Sequence, residues 1–187
     1  EWSYAHLDDW EQAAFRQMCA FRHGFFLEAA QEVVEMPKGR SVIEAIDNLL
    51  NKSFLWREST PYGTRFDTYS SLRDFATRLT QIGESSDFKR RHITYFTQYA
   101  DQWNSKHRGR DLIEATQRVA LDADNIRAAI HAALNVGEMK SAVRLFDALY
   151  HCRDQRGSVD TRPILELIWQ HEATLAPTDR VLLMQVK

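Results

Sequence analysis

Hydrophobic positions in the first half of the chain predict a helix, a β-hairpin and a second helix in direct succession. Apolar residues in 41–53 follow the 3.6-residue spacing of an amphipathic helix, and a Ser and a Glu three positions apart form a capping box at its start. Residues 54–58 and 64–69 are rich in aromatic side chains and flank a short connection with Pro and Gly, which is typical of a hairpin. A helix is predicted for residues 71–82. This order of elements is typical of a winged helix.

Two more helices are predicted before this stretch. Residues 9–21 have an acidic cap and an apolar stripe, and Gly24 follows at the position of a helix terminator. Residues 27–34 form a shorter apolar segment that a Pro and a Gly close. We therefore expect a winged-helix domain over residues 1–83, with three helices and a two-stranded wing.

The spacing of apolar residues is helical from residue 84 onward, so the predicted fold class is mainly α. Pro163 and Pro177 lie where the first turn of a helix tolerates proline. Pairs of helices joined by short loops predict a second domain over residues 84–187, an array of α-helical hairpins of the tetratricopeptide-like kind. The chain begins with Glu1 and stops inside an apolar pattern. We expect it to be a C-terminally truncated segment of a longer protein.

Composition narrows the class of protein. The formal net charge is −2, which gives no sign of a basic nucleic-acid-binding surface. The two cysteines lie far apart inside helical patterns, and this favours buried reduced thiols in a cytoplasmic protein. No apolar run reaches the roughly 18 residues that a membrane-spanning helix needs. We therefore expect no contact with a membrane.

The motifs of common enzymes are missing from the sequence. No glycine is followed by Gly-Lys-Ser/Thr at the spacing of a phosphate loop, and no serine lies in a Gly-x-Ser-x-Gly elbow. Cys19 and His23 have the spacing of two metal ligands, but a zinc site needs three or four. We expect no catalytic residue, no metal and no cofactor in this segment.

The charge on the third helix bears on whether the winged helix binds DNA. A helix that reads bases carries Arg, Lys, Asn or Gln on its exposed side. Here that side offers Glu44, Asp47, Asn48 and Asn51, with Lys52 only at the end. Over residues 1–83, 12 acidic side chains oppose 9 basic ones, so the predicted domain is negative. The sequence therefore favours a surface that contacts protein, with DNA binding weak or absent.

A few basic and aromatic residues remain candidates for contact with phosphate, DNA or a neighbouring domain. They lie on the predicted wing, at the end of the third helix and in the basic run of the next helix. The alternatives are core packing for the aromatic residues and local ion pairs on a solvated face for the basic ones. The candidates are Lys52, Trp56, Arg57, Tyr62, Arg65, Lys89, Arg90 and Arg91.

Five segments resemble the region downstream of the nucleotide-binding domain in bacterial signal-transduction ATPases of the STAND class. This class includes large regulators of the antibiotic-regulator type and kinase-linked transcriptional regulators. The segments occur in family order and lie within about residues 5–170. They are residues 18–30 (MCAFRHGFFLEAA), 49–55 (LLNKSFL), 66–76 (FDTYSSLRDFA), 90–96 (RRHITYF) and 124–134 (DNIRAAIHAAL). Two positions depart from the family pattern: His23 replaces the first glycine of a pair, and Ser71 replaces a threonine.

The resemblance implies a function that the residues alone do not give. It implies a non-catalytic regulatory segment, in which the winged helix acts as a lid on an upstream NTPase domain of the same chain. ATP or ADP would bind that upstream domain, and the longer parent protein would be the ATPase. The helical repeats would sense a protein or small-molecule effector. The alternative is a DNA-binding winged-helix transcription factor with a dimerising helical tail.

Overall fold

The computed structural model describes residues 4–80, 82–106, 110–152 and 161–184. The chain forms two compact units, Glu1–Arg91 and His92–Lys187. The change from one unit to the next falls inside a long helix, eight residues after the end of the winged-helix domain predicted from the sequence. Whether residues 1–83 and 84–187 fold as separate domains stays a prediction.

The first unit contains four helices, a small sheet and the start of a fifth helix. A 3₁₀ turn at Tyr4–His6 precedes the first helix. In chain order the elements are α1 (Asp9–Met18), β1 (Phe25–Phe26), α2 (Leu27–Val33), α3 (Val42–Asn51), β2 (Trp56–Thr60), β3 (Gly63–Asp67), α4 (Ser70–Leu79) and α5 (Ile82–Asn104). This arrangement, mainly helical with a small antiparallel sheet, is consistent with a winged helix.

The sheet has three strands in the order β1-β3-β2. The two strands of the predicted wing are β2 and β3, and β1 is a further strand that the sequence did not predict. Phe25 and Phe26 pair with Phe66 and Arg65 of β3, and both phenylalanines are buried. A strand of two residues is too short to show a period-two pattern, which explains why the sequence did not reveal it.

Gly24 makes the close pairing of β1 with β3 possible. Its φ angle is +84°, a conformation that L side chains rarely adopt. A Cβ atom added at this position would lie 2.8 Å from the carbonyl oxygen of Phe66. A glycine is therefore required where the chain turns from α1 into the sheet.

Aromatic side chains fill the core of the first unit. Phe15 meets Phe54 edge-on with ring centroids 5.1 Å apart, and Phe21 meets Phe88 of α5 in the same way at 5.6 Å. The inner side of α3 adds Val42, Ala45, Ile46 and Leu49, which are all buried. The predicted apolar stripe of the third helix is thus confirmed at three of its four positions, and its fourth member, Leu50, is only partly buried.

The second unit is helical throughout its described residues. After the end of α5 come α6 (Leu112–Leu121), α7 (Ala123–Asn135), α8 (Met139–Cys152), α9 (Arg162–Trp169), a 3₁₀ turn (Glu172–Thr174) and α10 (Pro177–Met184). The helix α8 packs against α6, α7, α9 and α10, and most of its apolar side chains are buried. These contacts centre the unit on α8. A tetratricopeptide-like array stays a prediction.

The apolar spacing after Leu112 predicts one long helix that ends at Gly137, whereas the structure has two helices there, α6 and α7. Asp122 separates α6 from α7, and its side chain is buried and accepts a hydrogen bond from Asn125 Nδ2 at 3.2 Å. Aspartate is among the residues that are preferred at the N-cap of a helix, which is the position that Asp122 takes before α7. The apolar spacing on both sides of Asp122 stays helical, so the pattern alone did not show it.

Cys19 and Cys152 are free and buried, as the sequence predicted. Among the described helices, none has the length and apolar character that crossing a membrane requires.

Candidate interaction surface of the third helix and the wing

The orientation of α3 in the first unit determines which of its residues reach solvent. Ser41 caps the helix, because its Oγ accepts a hydrogen bond from the N–H of Glu44 at 3.1 Å. With the apolar stripe turned inward, Ile43, Asp47 and Asn51 form an exposed row with a spacing of four residues. Ile43 is 48% exposed. We call Ile43, Asp47 and Asn51 the outer row of α3.

The carboxylate of Glu11 on α1 accepts hydrogen bonds from two polar side chains near the C-terminal end of α3. This carboxylate is 1% exposed. It accepts hydrogen bonds from Lys52 Nζ at 2.6 Å, from Asn48 Nδ2 at 3.0 Å and from the N–H of Asp8 at 2.9 Å. Two side chains that the sequence placed on the exposed face of the third helix therefore point toward α1.

These hydrogen bonds keep Glu11 ionised inside the fold. Burial by itself would raise the pKa of the Glu11 carboxyl group. The hydrogen bonds from Lys52, Asp8 and Asn48, together with the positive charge of Lys52, outweigh burial and lower this pKa below its usual value. Glu11 and Lys52 therefore form a charged pair at neutral pH, and Lys52 has its counter-ion within the protein.

The start of α3 also has its charge balanced locally. Arg40 Nη1 lies 2.6 Å from Glu44 Oε1, and the Arg40 guanidinium stacks 4.6 Å above the ring of Trp10. Both members of the Arg40–Glu44 pair are partly exposed, so the pair adds little stability. Within the outer row, Asp47 is the charged residue and Ile43 is the apolar one. The outer row is therefore acidic and apolar.

The wing is a tight hairpin between β2 and β3. Thr60 Oγ1 donates to the carbonyl oxygen of Gly63 at 2.7 Å and accepts from the N–H of Tyr62 at 3.1 Å, which fixes the turn. Trp56 and Tyr62 are half-buried, whereas Arg57 is exposed on β2. Arg57 has no ion pair among the described residues and is the one predicted wing cation that points to solvent.

Arg65 does not belong to the exposed surface. Its side chain is 3% exposed on β3. The guanidinium donates to the carbonyl oxygen of His23 at 2.9 Å and stacks 4.7 Å from the ring of Phe26. Arg65 thus holds the turn before β1, and its role as a contact for phosphate or a partner, predicted from the sequence, finds no support in this geometry.

The three basic residues of α5, Lys89, Arg90 and Arg91, also differ in whether they face solvent or the rest of the first unit. Lys89 and Arg90 are exposed, and Arg90 lies 3.4 Å from Asp87. Arg91 turns toward α1 and α2. Its guanidinium donates to the carbonyl oxygen of Val33 at 2.7 Å, to Gln17 Oε1 at 2.9 Å and to Glu35 Oε2 at 3.0 Å. Arg91 therefore ties α5 to the first unit.

The predicted contact residues do not converge on one basic surface. Lys52, Arg65 and Arg91 bind groups within the first unit, and the remaining cations, Arg57, Lys89 and Arg90, lie on two different elements. Their role in binding stays a prediction. Sequence reasoning missed Glu11 as the organising residue, because its position in the first turn of α1 suggested only a favourable interaction with the helix dipole.

Cys19 and His23, the pair with metal-ligand spacing, differ in exposure. Cys19 is in the core, and burial raises the pKa of its thiol to about 12. His23 is exposed. Within the described residues, no cluster of three or more His, Cys, Asp or Glu side chains could hold a metal ion.

Similar proteins occur in mycobacteria. Proteins of Mycobacterium bovis and of two strains of Mycobacterium tuberculosis, each named "Putative HTH-type transcriptional regulator", are 29% identical to this chain over 153 residues. The aligned part is 80% of this chain but 17% of each relative, so the chain spans about one sixth of the length of the curated proteins that it matches. No family model matches the chain, and no solved structure matches it. The chain is thus similar to part of these transcriptional regulators.

Proposed function

We propose that this chain is a regulatory segment of a transcriptional regulator, in which the winged helix contacts protein rather than DNA. The acidic and apolar outer row of α3 is the observation that carries this proposal. In DNA-binding winged helices and related folds, the corresponding helix presents donors and cations to base edges and phosphates. Here Asp47 would lie against phosphates, and Lys52 is already paired with Glu11.

A DNA-binding winged helix is the second candidate. The names of the mycobacterial relatives favour it, and they support membership of a transcriptional regulator more directly than a link to an ATPase. Because this chain spans about one sixth of those proteins, their names do not say which segment contacts DNA. Arg57, which is exposed on β2, is a cation that such binding would use.

The resemblance to STAND-class ATPases extends the proposal. In this extension an upstream NTPase domain that binds ATP or ADP docks on the winged helix, and the helical unit binds a protein or small-molecule effector through a tetratricopeptide-like surface. In the same extension, the protein is cytoplasmic and this segment is not catalytic.

Selection of binding sequences from a pool of random duplexes tests the two candidates. We expect the native chain to enrich no sequence and to bind duplex DNA weakly, with affinity disappearing near about 150 mM salt, where surface charges are screened beyond roughly 8 Å. Arg57→Glu should then change little at that salt concentration. Enrichment of a defined sequence, with binding that Arg57→Glu abolishes, would contradict the proposal and establish the DNA-binding candidate.

A further inference from the structure

The buried position of Glu11 has a consequence for what α3 can bind. Its two side-chain donors, Lys52 and Asn48, both come from the last turns of α3. The Lys52 side chain is 41% exposed although its ammonium group lies on a carboxylate that is 1% exposed. The Lys52 ammonium group therefore lies against α1, 2.6 Å from Glu11 Oε2, although the side chain as a whole is not buried.

Lys52 and Asn48 are residue types that DNA-binding proteins use for contacts with DNA. Lysine contacts phosphate, and asparagine can form two hydrogen bonds with adenine. A carboxylate that holds both withdraws one cation and one amide from the surface of α3. With these groups withdrawn, Ile43, Asp47 and Asn51 dominate the exposed face.

We propose that Glu11 is the specificity-determining residue of this winged helix: by holding Lys52 and Asn48 against α1, it removes the DNA-binding groups of α3 and leaves a surface suited to protein. This inference rests on the proposed function, since it identifies the residue that keeps DNA from binding. It makes a separate claim, because α3 could be unsuited to DNA without any contribution from Glu11.

Glu11→Gln tests the inference in the intact chain. The neutral amide has one acceptor oxygen and no charge, so it loses the ionic attraction to Lys52, and Lys52 becomes more available to a phosphate. We expect tighter binding to a short labelled duplex of mixed sequence, measured by fluorescence anisotropy at low salt. The plot of log K against log salt should steepen by about 0.9, the slope that one added phosphate contact contributes.

Glu32→Gln is the matched control. Glu32 is an exposed residue on α2, and its replacement changes the net charge by the same amount without releasing a cation. We expect Glu32→Gln to leave the salt slope unchanged, and Lys52→Gln added to Glu11→Gln to restore the native slope. A folded Glu11→Gln variant that binds no better than Glu32→Gln would overturn the inference.

Lys52→Gln in the native background keeps the inference testable if Glu11→Gln does not fold. Because Lys52 is already held by Glu11, its replacement should leave residual DNA binding and its salt slope as they are in the native chain. A slope that becomes shallower by about 0.9 would show that Lys52 already contacts phosphate, and would overturn the inference. Tight native binding that Lys52→Gln leaves unchanged would instead contradict the proposed function alone.

Discussion

At the scale of single residues, two non-glycine positions in the described part of the chain have a left-handed backbone: His23 with φ +53° and Ser53 with φ +60°. Ser53 ends α3 in a Schellman motif. Its N–H donates to the carbonyl oxygen of Leu50 at 3.0 Å, and the N–H of Phe54 donates to that of Leu49 at 2.8 Å. His23, where the family pattern that the sequence resembles has glycine, likewise has a positive φ, which glycine adopts without steric cost.

The left-handed conformation of Ser53 predicts that Ser53→Gly stabilises the first unit. An L residue in this region costs roughly 1–2 kcal/mol, and glycine avoids most of that cost while losing somewhat more entropy on folding. We expect the free energy of unfolding to rise by about 0.5–1 kcal/mol, measured by urea denaturation. Ser59→Gly, in the exposed strand β2, should lower it by a similar amount. Equal effects of the two substitutions would contradict this assignment.

At the scale of elements, Arg91 anchors the first half of α5 on α1 and α2. Its guanidinium donates to three acceptors. Phe88, three residues or about one turn earlier on α5, packs on Phe21. The basic run therefore contains two kinds of residue that the sequence could not separate. Arg91 is 25% exposed in its side chain, whereas Arg90 is 74% exposed.

This difference predicts unequal effects of replacing the two arginines with methionine. Arg91→Met leaves Gln17 Oε1 and the carbonyl oxygen of Val33 without a charged donor. A hydrogen bond that involves a charged group contributes roughly 1.5–3 kcal/mol to stability. We expect the free energy of unfolding to fall by about 2 kcal/mol. Arg90→Met should change it by less than about 0.5 kcal/mol. Thermal and urea denaturation would measure the stability of both variants and of the native chain. An Arg91→Met variant as stable as the native chain would show that the hydrogen bonds of Arg91 are not needed for stability.

At the scale of the whole molecule, each compact unit contains one buried thiol. Cys19 lies in the first unit, and Cys152 lies in the second, where its Sγ is 3.5 Å from the carbonyl oxygen of Thr116. Burial raises the pKa of each thiol to about 12. Each thiol therefore reports the opening of its own unit.

Both thiols should resist an aromatic disulfide reagent at pH 8 until their unit opens. The native groups stay protonated and inaccessible, whereas the same thiols ionise with a pKa near 9.0 once exposed. Cys19→Ser and Cys152→Ser variants assign the two labelling rates. Because the folded pKa is raised, the contribution of each thiol to stability is present in full below about pH 9 and is lost as the pH rises toward 12. Labelling as fast as that of a free thiol would contradict the burial.

The sequence by itself determined most of the helices and the hairpin. Spacing of apolar residues and capping signals depend on neighbours within a few positions, so α2, α3 and the hairpin were predicted close to their observed bounds, and Pro177 marked the start of α10. The sequence did not reveal β1, whose two residues form a strand only through pairing with β3, or the break at Asp122.

Only the tertiary structure decided which polar groups face solvent. Judged by residue type alone, Lys52, Arg65 and Arg91 could each belong to a binding surface. In the structure each donates to acceptors far away in the sequence: 41 positions for Lys52, 42 for Arg65 and 56–74 for Arg91. The physical reason is that a long cationic side chain can either remain hydrated or turn inward, and the choice depends on whether folding brings an acceptor within hydrogen-bonding distance. For α3 that acceptor is Glu11, and its position on α1 became visible only once the two helices were packed together.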